Sequence, residues 1–267
     1  VNRSMYIIKV GGGRDINLEG IVTDLAQIKD PFVVVLGANA LRDELGAQLG
    51  HRKVELTSVS GYTSVYSDAD AIDLILMAYS GLRNRRFVEL CQRNGINAIG
   101  LTGLDGRLIQ GQRNRGIRVR EQGKTLIKRD FSGKPRSVNA SLLNSLLNDG
   151  YRPVLSIPIV DEQGFAINSE NDDIVTTLQG ALKAIKVIQL IEAPGLLENK
   201  DDDSTIIAEI SRAELEAREE RVAGRMKRKI LAIRRLLDAG AGEVVISDGR
   251  TSKPIHDAFA GRGTLIR

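Results

Sequence analysis

The chain has 267 residues, 42% of them hydrophobic and 27% charged, and a formal net charge of +4; this suits one large α/β domain, or two lobes sharing a sheet. No apolar run nears the roughly 20 residues that cross a bilayer, and the start lacks a signal-peptide pattern, so the expectation is a cytoplasmic protein without a membrane role. A single cysteine, Cys91, excludes an intramolecular disulfide, and with only His51 and His256 beside it a structural zinc site is disfavoured.

The first predicted strand, residues 7–10, carries Lys9 and runs into Gly11, Gly12 and Gly13. A lysine in an apolar strand is costly unless an anion meets it, and glycines at a strand end let backbone N–H groups approach phosphate oxygens. The lysine precedes the glycines, which fits neither the P-loop nor the dinucleotide fingerprint. A tight turn with a snorkelling lysine is the plainer alternative.

A helix over residues 20–29, a strand over 32–36 ending at Gly37-Ala38-Asn39, and a helix to about residue 50 give βαβα order. That order favours a parallel sheet with helices on both faces and ligands at the carboxyl ends of its strands. Both glycine turns lie at such ends, so one phosphate site can draw on both.

Beyond a polar stretch around Gly61, helical patterns cover residues 68–80 and 84–94, and a short strand 98–100. The Cys91 helix is amphipathic, which predicts a buried thiol. Residues 108–129 alternate in period two around Glu121-Gln122-Gly123, as a hairpin does. From Arg113 to Arg136 there are nine basic residues and two acidic ones. Arg113, Arg115, Arg118, Arg120, Lys124 and Lys128 belong to this cluster, which suits a polyanionic partner or a solvated hairpin face. Aromatic content of 4% and no tryptophan argue against nucleic acid.

A helix over 137–148 and a buried strand over 153–159 come next. Asn168 then leads to a helix whose start holds Asp172, a position from which a carboxylate caps the helix or orients a catalytic lysine. Asn168 has the amide to bind a substrate carboxylate or simply hold the turn. A strand over 186–191 ends at Glu192-Ala193-Pro194-Gly195. Helices over 212–220 and from Gly224 to about 239, and a strand over 243–247, complete the pattern. There is no clean linker or repeat, and the expectation is one continuous sheet with two functional halves. Phosphoryl transfer needs charge compensation around the moving group, and Lys9 with Lys229 is the natural pair if the fold brings them together. Arg225, Lys227 and Arg228 compete with Lys229.

Taken together, Ile8-Lys9-Val10-Gly11-Gly12, Ile167-Asn168 through Asp172, Glu192-Ala193-Pro194-Gly195-Leu196-Leu197 and Gly224-Arg225-Met226-Lys227-Arg228-Lys229 resemble the amino acid kinase superfamily, in its acetylglutamate kinase branch. Within it the chain is most similar to kinases of 2-aminoadipate, or glutamate, held on an acidic amino-group carrier protein in lysine and arginine biosynthesis. The resemblance covers nearly the whole chain, Gly100 to Leu108, Asp130 to Lys134 and Ser247 to Arg250 included.

It implies a three-layer α/β/α sandwich with a mostly parallel sheet, residues 1–165 serving the acyl substrate and carrier and 166–267 the nucleotide, MgATP. Lys9 and Lys229 would stabilise the transition state and Asp172 would orient them. Gly11, Gly12, Gly37, Ala38 and Asn39 would hold the γ-phosphate through their N–H groups. Gly61, Val65 and Asn168 would line the substrate site, and Glu192, Gly195 and Met226 the nucleotide. The basic cluster would dock the carrier, and a homodimer is implied. The alternatives are a kinase of free N-acetylglutamate or another small acid, and a non-catalytic regulatory homologue.

Two positions depart from the family pattern. Leu36-Gly37-Ala38-Asn39 lacks the usual histidine and a glycine, and Val65 stands where the family places an arginine that grips the substrate carboxylate. A charged hydrogen bond of that kind is worth about 1.5–3 kcal/mol.

Overall fold

The computed structural model describes residues 4–267 except 52, 60–62, 122–123, 200 and 222–223; the side chains of 63, 64, 121, 220, 221 and 224–228 also lie outside the described set. In chain order, β1 (Tyr6–Val10), α1 (Leu18–Leu25), β2 (Phe32–Leu36) and α2 (Asn39–Gln48) form the opening βαβα unit. A small antiparallel pair follows, β3 (Glu55–Thr57) and β4 (Thr63–Val65). Next come α3 (Ala69–Ile75), a π-helical stretch (Leu76–Arg83) and α4 (Asn84–Arg93). The predicted break at residues 81–83 is absent, because helical backbone continues through Arg83 and Asn84. Cys91 is buried, which pushes its thiol up to about 12.

The middle of the chain contains β5 (Ala98–Thr102), β6 (Ile109–Arg113), β7 (Ile117–Glu121), β8 (Lys124–Lys128), β9 (Gly133–Val138), α5 (Ala140–Asn148), β10 (Arg152–Ser156), β11 (Ile159–Val160) and β12 (Ala166–Ile167). The remainder is α6 (Asn171–Leu182), β13 (Lys186–Ile191), β14 (Glu209–Ile210), α7 (Arg212–Arg221), α8 (Gly224–Asp238), β15 (Glu243–Asp248), α9 (Pro254–Phe259) and β16 (Thr264–Ile266).

The main sheet has eight strands in the order β14-β16-β15-β13-β1-β2-β10-β5, with the β15–β16 pair antiparallel and the other pairs parallel. Its central strands are mostly apolar because both faces are covered, with Lys9 in β1 and Gln189 in β13 as exceptions. Ile7, Val33, Val35 and Val187 enter one core while Ile8, Val34 and Ile188 enter the other. Successive side chains on a strand point to opposite faces, so these two cores make three layers, the α/β/α sandwich expected.

A single continuous sheet is not what forms. A second sheet, β12-β11-β6-β9, and the pairs β3–β4 and β7–β8 stand apart from the main one. The predicted strand over 153–159 divides between β10 and β11, which belong to different sheets. Strands β7 and β8 pair antiparallel on either side of the predicted turn, whose Gln122 and Gly123 lie outside the described residues; β6 pairs with β9 and β11 instead. Among the described residues no helix is long and apolar enough to cross a membrane.

Candidate active site

Strand β1 lies between β13 and β2, with Lys9 in register with Gln189 on one side and Val35 on the other. The carboxyl ends of β1 and β2 therefore adjoin, and the two glycine turns touch. A Cβ on Gly12 would lie 2.1 Å from Asn39 Oδ1 and 2.5 Å from Ala38 N, and one on Gly37 would lie 2.6 Å from Gly12 N. Glycine is required here by close approach, since neither residue has a positive φ.

Ala38 answers the question its side chain raised. It is the N-cap of α2 at φ −150°, a conformation open to any L-residue, and no side chain caps that helix. An uncapped helix start beside a glycine turn is an anion site by geometry and dipole.

The individual N–H groups differ from expectation. Gly11 donates to Leu190 O at 2.9 Å and Gly37 to Val10 O at 2.8 Å, so sheet and turn consume both, and neither holds a phosphate oxygen through its amide. Ala38 directs its amide at the Tyr79 hydroxyl. Among the described residues the amides of Gly12, Gly13 and Asn39 have no protein acceptor, and these three remain for an anion.

Lys9 is paired with Asp172, its side chain 16% exposed. It is neither snorkelling nor unpaired. Asp172 is in the first turn of α6, whose N-cap is Glu170 without a side-chain capping bond, so the Asp172 carboxylate serves the lysine and does not cap the helix.

Lys229 reaches the same place from α8. Burial pushes its ammonium down to about 8, repulsion from Lys9 adds to the fall, and Asp172 opposes it. Those causes require the two ammonium groups and the carboxylate to share one neighbourhood. Arg235 to Asp173, 3.3 Å, ties α8 to the start of α6 and fixes that approach. The site therefore gathers the Lys9 and Lys229 ammonium groups about Asp172 beside three free amides, with the Glu192 carboxylate against Gly13, and the two cations suit a phosphoryl group.

Asn168 is elsewhere engaged. Its Nδ2 donates to Ser67 Oγ at 3.0 Å, and its backbone bridges Phe131 and Gly133. Ser67 is two residues past Val65, so both expected substrate positions meet at this segment. Gly61 lies outside the described residues. Sequence reasoning missed Asp130, which is 2% exposed and accepts from Ser67 N, Ser132 N and Ser132 Oγ, locking the segment. Its segment, Asp130 to Lys134, carried part of the resemblance, and an aspartate followed two residues later by serine is the local signal for its role.

On the expected nucleotide side, Glu192 turns toward the first glycine turn: its Oε1 accepts from Asp15 N at 2.7 Å, and a Cβ on Gly13 would collide with its carboxylate. Gly195 is buried against Thr264 and Ile206. Met226 is in the first turn of α8, its side chain outside the described set.

In the basic cluster, Arg115, Arg118, Arg120 and Lys124 are exposed and Lys128 is half-buried. Arg113 differs. It stacks 3.9 Å over the Phe131 ring and donates through Nε to Asp130 O at 2.8 Å, so its guanidinium is built into the fold.

An α/β/α sandwich whose central strands end in a glycine cradle, with two lysines gathered about one carboxylate, defines a class of phosphate-handling fold. The model of the amino acid kinase family matches residues 4–248, and the chain belongs to that family. Relatives include the [LysW]-aminoadipate kinase of Deinococcus radiodurans, 37% identical over 98% of this chain and 91% of that protein. The [LysW]-aminoadipate kinase of Thermus thermophilus is 37% identical over 98% of this chain and all of the relative. Among solved structures, smu.665 from Streptococcus mutans superposes with a TM-score of 0.73 at 19% identity, covering 98% of each chain, which speaks for the fold.

Proposed function

We propose that this protein uses ATP to phosphorylate the side-chain carboxylate of 2-aminoadipate, or glutamate, attached through its amino group to a small acidic carrier protein. The observation that carries the reading is Lys9, Asp172 and Lys229 gathered at the glycine cradle, in a chain alike over nearly its full length to two [LysW]-aminoadipate kinases.

The acceptor carboxylate is already ionised at neutral pH, so no general base is needed. One of its oxygens attacks the γ-phosphorus in line, the bond to the β–γ bridging oxygen breaks, and ADP leaves with that electron pair. Lys9 and Lys229 neutralise charge on the transferring group, Asp172 fixes Lys9, and the amides of Gly12, Gly13 and Asn39 bind the equatorial oxygens. Magnesium would come with the nucleotide as MgATP and would supply further charge neutralisation on its phosphates.

Residues 1–165 bind acceptor and carrier and 166–267 bind nucleotide, with Glu192, Gly195 and Met226 near the adenosine. The exposed cations Arg115, Arg118, Arg120 and Lys124 meet the acidic carrier, and the working unit is a cytoplasmic homodimer.

A hydroxamate assay with carrier-linked aminoadipate and free N-acetylglutamate side by side tests the reading. Acyl phosphate from the carrier-linked acid, abolished in Lys9→Ala, is the expected result. Turnover of the free acid alone would overturn the carrier assignment, and ATP binding without acyl phosphate on any acid would make the protein a regulatory homologue.

A further inference from the structure

The acceptor named above carries a second anion. Its amino group is used by the carrier linkage and its side-chain carboxylate by the phosphoryl group, which leaves the α-carboxylate to be held. Val65, half-buried and apolar, offers it nothing.

Two other cations lie on elements packed together beside the cradle, α2 and the π-helical stretch. Arg42 is four residues past Ala38, one turn into α2, with its side chain only 14% exposed. Arg83 ends the π-helical stretch, and its Nε is shut off from solvent with no hydrogen-bond partner. Between them stands Tyr79, 5% exposed, whose hydroxyl receives the Ala38 amide and lies within electrostatic reach of both guanidinium groups. Glu170, two residues before Asp172, and Asp43 also face that hydroxyl. The cluster therefore adjoins the cradle at Ala38 and faces the start of α6 at Glu170.

It also reaches the Val65 hairpin. Arg42 donates through Nε and Nη2 to Asp43 Oδ1 at 2.8 and 2.6 Å, and Asp43 Oδ2 accepts from Lys53 at 3.4 Å. Lys53 pairs with Glu55 at 2.9 Å, and Glu55 is directly across the β3–β4 ladder from Val65.

We propose that Arg42 and Arg83, set by Tyr79, form the subsite for the acceptor's α-carboxylate, a specificity element supplied from α2 and the π-helical stretch in place of the hairpin. Arg42 gives Nε and Nη2 to Asp43 and keeps Nη1, and Arg83 Nε is a buried donor that a planar carboxylate satisfies. The inference rests on the carboxylate-kinase reading and specifies its acceptor site.

The test compares wild type with Arg42→Met, Arg83→Met and the double variant. Two free probes are used: N-acetyl-2-aminoadipate and 5-acetamidopentanoate, which lacks the α-carboxylate. Binding is read by calorimetry beside a non-hydrolysable ATP analogue, and KM and kcat by hydroxamate formation. The double variant should bind N-acetyl-2-aminoadipate at least tenfold more weakly and lose its preference over the decarboxy probe, while ATP-analogue affinity is unchanged. Adding Val65→Arg to it should restore part of that preference. A double variant that binds the analogue normally and keeps the full preference would overturn the subsite. A wild type that binds N-acetyl-2-aminoadipate with this preference yet forms acyl phosphate neither on that probe nor on the carrier-linked acid would sink the kinase reading and leave the subsite standing; a wild type with no such preference would sink the subsite.

Discussion

Asp172 on α6 holds Lys9 on β1 across 163 residues of sequence, and Lys229 arrives beside them from a third element. Removing the carboxylate leaves two like charges facing each other with no anion between them. Asp172→Asn should lower kcat by about a hundredfold or more, with ATP-analogue binding retained, since a positioned catalytic charge is worth about 3 kcal/mol. Steady-state kinetics and calorimetry check this, and wild-type turnover in the variant would refute the orienting role.

Lys229 is costly to the empty protein. Its folded value, about 8, is below the ordinary 10.5, so the folded state holds this proton less tightly than the unfolded chain does. The penalty is fully present below about pH 8 and is relieved as pH rises from there toward 10.5. Lys229→Met should therefore raise the melting temperature at pH 7, by about 1 kcal/mol of stability, while abolishing turnover. In wild type, kcat/KM should fall above pH 8 as the ammonium is lost, and a flat profile to pH 10 would contradict that assignment.

Gly12 and Ala38 should respond in opposite ways. Gly12→Ala drives a methyl into Asn39 and the Ala38 amide and should abolish ATP-analogue binding. Ala38→Gly should change affinity less than threefold, because the φ of −150° never required glycine. Titration calorimetry on both variants separates close approach from backbone freedom.

The first glycine turn, Lys9 and the carboxylate at Asp172 were legible because their chemistry is local: a charged residue in an apolar strand, glycines at its end, an acid at a helix start. What stayed hidden depends on which backbone groups the fold consumes. Gly11 and Gly37 give their amides to Leu190 and Val10, a fact of sheet register that no short motif encodes. Arg42 lies on α2, Tyr79 and Arg83 on the π-helical stretch, and each reads individually as an ordinary helix residue; only the meeting of both arginines at Tyr79 marks them. The second sheet was missed for the same reason, since β11 and β12 have two residues each and show no periodicity of their own.

Asp130 should matter to stability and acceptor binding together. Asp130→Ala strands the Ser67 and Ser132 amides and should cost about 2–4 kcal/mol by urea unfolding. The acceptor KM should rise while the nucleotide KM does not, because the loosened segment carries Ser67, the partner of Asn168.

Charge reversal will divide the basic cluster. Arg118→Glu with Arg120→Glu should lower kcat/KM for a carrier-linked acid at least tenfold at low salt, with the deficit shrinking as salt rises. Arg113→Ala should instead lose about 1–2 kcal/mol of stability through its ring and carbonyl contacts. Equal effects from both would deny the distinction drawn between them.

The interior position of β1 gives the two lysines unequal freedom. Lys9 is anchored by ladders on both flanks, so it serves as the stationary datum of the reaction centre. Lys229 rides on α8, whose moorings to its neighbours include the Arg235–Asp173 and Arg234–Glu219 ion pairs. A displacement of α8 would therefore carry the second ammonium away from Lys9, while the ladders on both flanks of β1 hold the first in place.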